Sequence, residues 1–212
     1  MSSSPCAAPT VIEDGAPDGP LVVLLHGRGS DAHEIVGLAQ HLPSRLSYAA
    51  VRAPIAEGGG YAWFANRGIG RPLPDSLAAT MGWFRTWLDA YAPAASGRPV
   101  ALVGFSGGAA FAGGLLLADP SRFAAVAVLH GTIPFEAGVP TTQGHLSGAN
   151  VFLTHGTHDT VIPLDLQART WAYLTDESGA TVVARREPAG HELTQGTVAA
   201  LSQWLDQMLP QD

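Results

Sequence analysis

The chain has 212 residues and a formal net charge of -7; 46% of its residues are hydrophobic and 14% charged, which fits one domain with a substantial core and excludes a largely disordered polypeptide. An acidic balance without a basic cluster argues against nucleic acid or anionic lipid as partners, and no apolar run approaches the roughly 20 residues that span a bilayer. All eleven basic residues are arginine, so a P-loop lysine, a Schiff-base lysine and a lysine general base are excluded.

Residues 1–10 are expected as a flexible tail and residues 11–212 as a single domain. The tail carries neither a basic segment nor an apolar centre, so it does not read as a secretory signal, and a cytoplasmic location without a membrane anchor is expected. Cys6 is the one cysteine, which rules out an internal disulfide and fits a reducing compartment. Leu21–Leu25 is a continuous apolar run, the mark of a strand covered on both faces. Asp31 then stands as an N-cap before Ile35, Leu38, Ala39 and Leu42, whose helical spacing ends at Pro43. Residues 48–51 read as the next strand.

The connection over residues 53–74 is too long to be idle in a compact domain, and it carries Tyr61, Trp63 and Phe64 among glycines. Its aromatic side chains either wall an apolar substrate pocket or pin the loop to the core. Asp75 caps a helix with Leu77, Met81, Phe84, Leu88 and Tyr91 on one face, a core-packing stripe. Strands follow at 100–105, 124–129, 151–154 and 181–185, with helices at about 163–178, closed by Gly179, and about 196–209. Strands alternating with helices predict an α/β fold: a mostly parallel central sheet, helices on both faces and no cap domain.

The chemistry concentrates where these strands end. Val100–Phe105 runs into Gly104-Phe105-Ser106-Gly107-Gly108, a strand-to-helix turn of the kind that presents a serine hydroxyl to a base and to backbone N–H donors. The pattern alone is weak in a chain with 25 glycines, because a tight turn between a buried strand and a packed helix needs the same residues. Asp159 and His191 add weight, since each follows an apolar strand and precedes a helix. The chain order Ser106, Asp159, His191 is that of α/β-hydrolases.

Other patterns compete. Gly27, Gly29 and Ala32 fit a dinucleotide-binding turn, but that reading needs an acidic residue about 20 positions on, where Val51, Arg52, Ala53 and Pro54 stand. The His26-Gly27 turn serves better as a source of an oxyanion donor. His155 and His158 beside Asp159 suggest a metal, yet no further ligand cluster completes such a site, and neither metal nor cofactor is expected. The two histidines are expected to support the acid loop instead. His26 and His130 each end an apolar strand, where a hydrogen-bonded structural role and contact with substrate are equally open. Asp165 is the second-ranked acid because it lies inside the following helix.

Together, Leu25-His26-Gly27-Arg28-Gly29-Ser30-Asp31, Arg52-Ala53-Pro54, Gly60-Tyr61-Ala62-Trp63-Phe64, Gly104-Phe105-Ser106-Gly107-Gly108, His155-Gly156-Thr157-His158-Asp159 with Val161-Ile162-Pro163, and Gly190-His191-Glu192 resemble the phospholipase/carboxylesterase family of small α/β-hydrolases, which includes acyl-protein thioesterases. The resemblance implies a serine carboxylesterase acting on small to medium acyl esters, with Ser106 as nucleophile, His191 as base and Asp159 as its partner. It also implies oxyanion donors at the Arg28 and Gly107 N–H groups, substrate contact at Trp63, and a monomer or homodimer. Lysophospholipase and acyl thioesterase activities belong to the same family. Thioesterase-like members carry glutamine after the serine where Gly107 stands, which weakens that likeness, and Ser106 argues against the cysteine-dependent dienelactone branch. A hydrolase fold kept as a binding module is the non-enzymatic alternative.

Overall fold

The computed structural model describes residues 7–209; Cys6, with the first part of the expected tail, lies outside them. Residues 7–10, expected as part of the same tail, are instead tied down: Trp83 Nε1 donates to the Ala7 carbonyl at 2.7 Å, and the Arg52 N–H to that of Thr10 at 3.0 Å. The main sheet has seven strands: β1 (Val11–Gly15), β2 (Leu21–Leu25), β3 (Ser47–Val51), β8 (Val100–Phe105), β9 (Ala125–Leu129), β10 (Asn150–Gly156) and β11 (Thr181–Glu187). Strands β4 to β7 form two small hairpins, Ile55–Glu57 with Gly60–Ala62 and Asn66–Gly68 with Arg71–Pro72.

The sheet order is β1-β3-β2-β8-β9-β10-β11. Only the β1–β3 pair is antiparallel. Such a sheet needs cover on both faces, and period-two alternation in the central strands supplies it. Leu21, Val23 and Leu25 join one core with α2 (Pro74–Tyr91), α3 (Gly107–Ala118) and α4 (Leu164–Ala172), whereas Val22 and Leu24 join the other with α1 (Ala32–Ile35) and α5 (Gln195–Met208). No helix among the described residues is long and apolar enough to cross a membrane.

Several elements differ from the sequence reading. Strand β1 is an edge strand with the polar sequence VIEDG, so no apolar run announces it. The helix capped by Asp31 lasts four residues before a 3₁₀ stretch over Val36–His41, and α4 continues as a π-helical segment over Tyr173–Glu177. Helix α2 begins at Pro74, whose fixed φ suits a first helical turn, so Asp75 lies inside it and not at the cap.

Register decides where function can sit. Leu25 pairs with Val51 and Gly104, Phe105 with Leu129, Leu129 with Thr154, and Gly156 with Glu187. The carboxyl ends of six parallel strands therefore align along one edge, bringing together the loops that carry Arg28, Ser106, His130, Asp159 and His191. This is the rim where open α/β sheets present their ligands.

Candidate active site

The turn after β8 sets the first group. Ser106 has φ 55 and ψ -114, a backbone conformation that costs a non-glycine residue on the order of 1–3 kcal/mol. The surroundings enforce it: the Ser106 N–H donates to the Leu129 carbonyl at 2.9 Å, and the Ser106 carbonyl accepts from the Ala109 and Ala110 N–H groups. A Cβ at Gly104 would run into the Gly108 carbonyl, and one at Gly108 into the Leu25 carbonyl, so only glycines let helix and strand approach this closely.

The loops after β10 and β11 bring in the other two groups. The His158 N–H donates to the Ala189 carbonyl and the Thr157 N–H to that of Glu187, clipping one loop to the other. His191 Nε2 then lies 2.8 Å from Ser106 Oγ, and His191 Nδ1 lies 2.8 Å from Asp159 Oδ2. With Nδ1–H donating to the carboxylate, Nε2 is the acceptor for the serine hydroxyl. Asp159 Oδ1 accepts from the Val161 and Ile162 N–H groups at 2.8 and 3.1 Å. Burial pushes the Asp159 carboxyl up, but the hydrogen bonds from His191, Ile162 and Val161 outweigh it and hold the pKa below the ordinary value. Asp165 lies elsewhere, in an exposed pair with Arg71 at 2.7 Å.

Arg28 and Gly107 are neighbours, since a Cβ at Gly107 would stand 3.3 Å from the Arg28 nitrogen. Among the described residues nothing accepts a hydrogen bond from the N–H of either. The Arg28 side chain is held from outside: its guanidinium forms a two-pronged pair with Glu57 at 2.5 Å and reaches the Phe64 carbonyl at 3.3 Å. The β4–β5 hairpin that supplies Glu57 is bonded to the Arg28 loop through Gly29 N–H to Tyr61 carbonyl and Tyr61 N–H to Ser30 carbonyl. Sequence reasoning missed Glu57, because nothing local to residue 57 indicates a partner 29 positions earlier.

Trp63 is not where substrate contact was expected. It is 1% exposed, stacks on Phe111 at 4.6 Å and donates Nε1–H to the His26 carbonyl at 2.8 Å, so it braces the β2 loop from the core. A cavity of about 270 Å³ at Ser106 is lined instead by Phe64, Asn66, Ile69, Thr132, Val161 and Ile162, together with Gly70, Ala110 and the residues already placed. Tyr61 is partly buried against the core and lies under the Arg52 guanidinium, 4.6 Å from the ring centre.

The remaining histidines divide by what their rings meet. His26 is fully buried, with Nδ1 2.7 Å from the Gly27 carbonyl and Nε2 accepting from the Ala53 N–H at 3.0 Å, a structural tie between two strand ends. His155 Nε2 lies 3.0 Å from the Gly131 carbonyl and Asp159 is engaged with His191, while His158 is held through its backbone N–H. His130 is buried at φ 46, its ring 6.3 Å from that of His191, with neither nitrogen hydrogen-bonded among the described residues. Burial holds the pKa of all three below the ordinary histidine value.

Comparison with known proteins agrees with this architecture. The Phospholipase/Carboxylesterase family profile matches residues 6–209. MhqD of Bacillus subtilis strain 168, described as a hydrolase, is 25% identical over 197 residues, covering 92% of this chain and 96% of its own. The Bacillus cereus carboxylesterase superposes with a TM-score of 0.83 at 25% identity and covers 96% of both chains. The Mesorhizobium loti carboxylesterase gives 0.77 at 26% identity over 88% of both. With a family profile spanning nearly its whole length, this chain belongs to the phospholipase/carboxylesterase family and is an α/β-hydrolase of the serine-hydrolase class.

Proposed function

We propose that the protein hydrolyses small to medium acyl esters through an acyl-enzyme on Ser106. The observation that carries this reading is the unbroken hydrogen-bonded run from Ser106 Oγ through His191 to Asp159, with both links at 2.8 Å. His191 Nε2 takes the hydroxyl proton as Oγ attacks the ester carbonyl carbon. Asp159 keeps Nδ1 protonated and stabilises the imidazolium that forms. The negative charge on the former carbonyl oxygen is met by the Arg28 and Gly107 N–H groups, each such donor contributing about 3 kcal/mol to the transition state. His191 then returns the proton to the departing alcohol, and a water activated by the same imidazole releases the acid and restores Ser106.

A cavity of about 270 Å³ lies just below the roughly 300–1,000 Å³ of ordinary ligand sites, which favours a short acyl group over the long chain of a lysophospholipid. The test is hydrolysis of p-nitrophenyl esters from acetate to palmitate by the wild type and Ser106→Ala. The expected result is an optimum at short acyl chains and a loss of roughly 10⁴–10⁶-fold in kcat in the variant. Ester hydrolysis that survives in a folded Ser106→Ala protein would remove Ser106 from the nucleophile's role. A wild type inert toward every ester would favour the binding-module alternative.

A further inference from the structure

A second cavity, of about 260 Å³, shares no lining residue with the one at Ser106. It lies between α4 and the carboxyl ends of β10 and β11, bordered by the start of the acid loop at Gly156 and Thr157. Register explains how it forms. His155 and Arg186 are paired positions on adjacent parallel strands, so their side chains project to the same face of the sheet, the face that α4 covers. Along α4, Leu164, Ala168 and Trp171 follow one another at a helical turn's spacing and wall the gap.

Arg186 is open to solutes there. Arg185 and Glu187 lie on the opposite face of β11 and pair with each other at 2.8 Å, which takes the adjacent carboxylate away from Arg186. The Arg186 guanidinium instead stands over the Trp171 ring, 4.2 Å from its centre, a contact that uses none of its N–H donors. Among the described residues it has no ion-pair partner. Arg186 and Ala168 are exposed, and Leu164 is 76% exposed, so the groups that would meet a ligand are within its reach.

The chemistry of the lining selects that ligand. His155 is buried, its Nε2 is 3.0 Å from the Gly131 carbonyl, and burial holds its pKa below the ordinary histidine value, so it adds no second positive charge at neutral pH. One guanidinium matches one carboxylate, with two N–H donors facing two oxygens. The wall of Trp171, Leu164 and Ala168 offers apolar surface that an alkyl chain covers and inorganic phosphate leaves bare. The volume, on the order of nine water molecules, admits only a short chain. We propose that this cavity binds a short alkyl carboxylate, its carboxylate on Arg186 and its chain along Trp171, Leu164 and Ala168. Acids of this class are also what the proposed reaction releases, but the site stands apart from the reacting groups and does not depend on Ser106 being the nucleophile.

Trp171 supplies the readout. Titration of the wild type with butyrate and hexanoate at constant ionic strength is expected to give a saturable change in tryptophan fluorescence, with butyramide and inorganic phosphate binding at least about tenfold more weakly than butyrate. Trp171→Phe keeps an apolar wall and removes the optical signal, while hexanoate still raises Tm. Arg186→Gln, at an exposed position, weakens binding of both acids by about tenfold or more with little change in the Tm of the free protein. Ala168→Phe, which fills the gap and leaves Arg186 in place, abolishes binding. Butyramide or phosphate binding as tightly as butyrate would overturn the proposal, as would the lack of a saturable change with either acid. So would affinity that survives both Arg186→Gln and Ala168→Phe, the pattern expected if the acids sit in the Ser106 cavity instead.

Discussion

The turn at Phe105–Gly108 and the excursion over residues 55–72 both border the cavity, yet they are built in different ways. The turn is local: a buried strand, three glycines and a helix fix Ser106 through contacts between residues a few positions apart, with the Leu25 and Leu129 carbonyls closing it from the neighbouring strands. The excursion has almost no core of its own. It holds its shape through distant partners, with Tyr61 on Gly29 and Ser30, Glu57 on Arg28, Trp63 on His26, and the Ala65 N–H on Ser76 Oγ. In the proposed reaction the turn carries the attacking oxygen, while the excursion orients one of the proposed donors and shapes the space around it. A group on such a turn is held by the geometry of the sheet, whereas the shape of tethered hairpins depends on a few single contacts far away in the chain.

The largest expected effect lies on the side of the chemistry. Asp159→Asn keeps the shape of the acid loop but removes the charge that fixes the His191 tautomer, so kcat should fall about 10⁴-fold with little change in KM. Steady-state kinetics on p-nitrophenyl butyrate checks this, and a loss under tenfold would mean another group orients His191.

Acid stability tests the surroundings of the same turn. His26, His130 and His155 are held neutral by burial, so below about pH 6.5 the unfolded chain binds more protons than the folded one. Their contribution is complete above that pH and is lost as pH falls toward their folded values, at up to about 1.4 kcal/mol per pH unit for each histidine. Asp159 acts lower on the scale: its depressed carboxyl stabilises the fold above the ordinary carboxylate range, and this is lost as pH drops through its folded value. Tm should therefore decline steadily from pH 6.5 to 5.5, before carboxylates titrate. A flat Tm across that window would contradict the neutral assignment.

The smallest effect belongs to the excursion. Glu57→Gln loosens the grip on Arg28, whose N–H is the proposed donor, and should lower kcat/KM about tenfold, a fraction of what losing a whole donor costs. Because the pair is 35% and 39% exposed, its loss should cost stability no more than about 1 kcal/mol. Parallel kinetics and thermal melts separate the two, and an unchanged rate would show that the hairpin only covers the loop.

The same division marks what was legible in the sequence. The parallel strands announced themselves as apolar runs, and Ser106, Asp159 and His191 each stood shortly after such a run and before a helix. Strand β1, with one exposed edge, and hairpins β4 to β7, with two or three residues per strand, are too short or too polar to leave a periodic trace. Glu57 takes its importance from Arg28, a residue far away in the chain. Trp63 misled because Phe64, next to it in sequence, lines the cavity while its own ring turns into the core against Phe111.

The most direct test of the account is labelling with a fluorophosphonate, which reacts with an activated serine, followed by peptide mass spectrometry. The account predicts one adduct, on Ser106, formed in step with loss of esterase activity and far more slowly in Asp159→Asn. An adduct on another residue, or full activity after complete modification of Ser106, would contradict it.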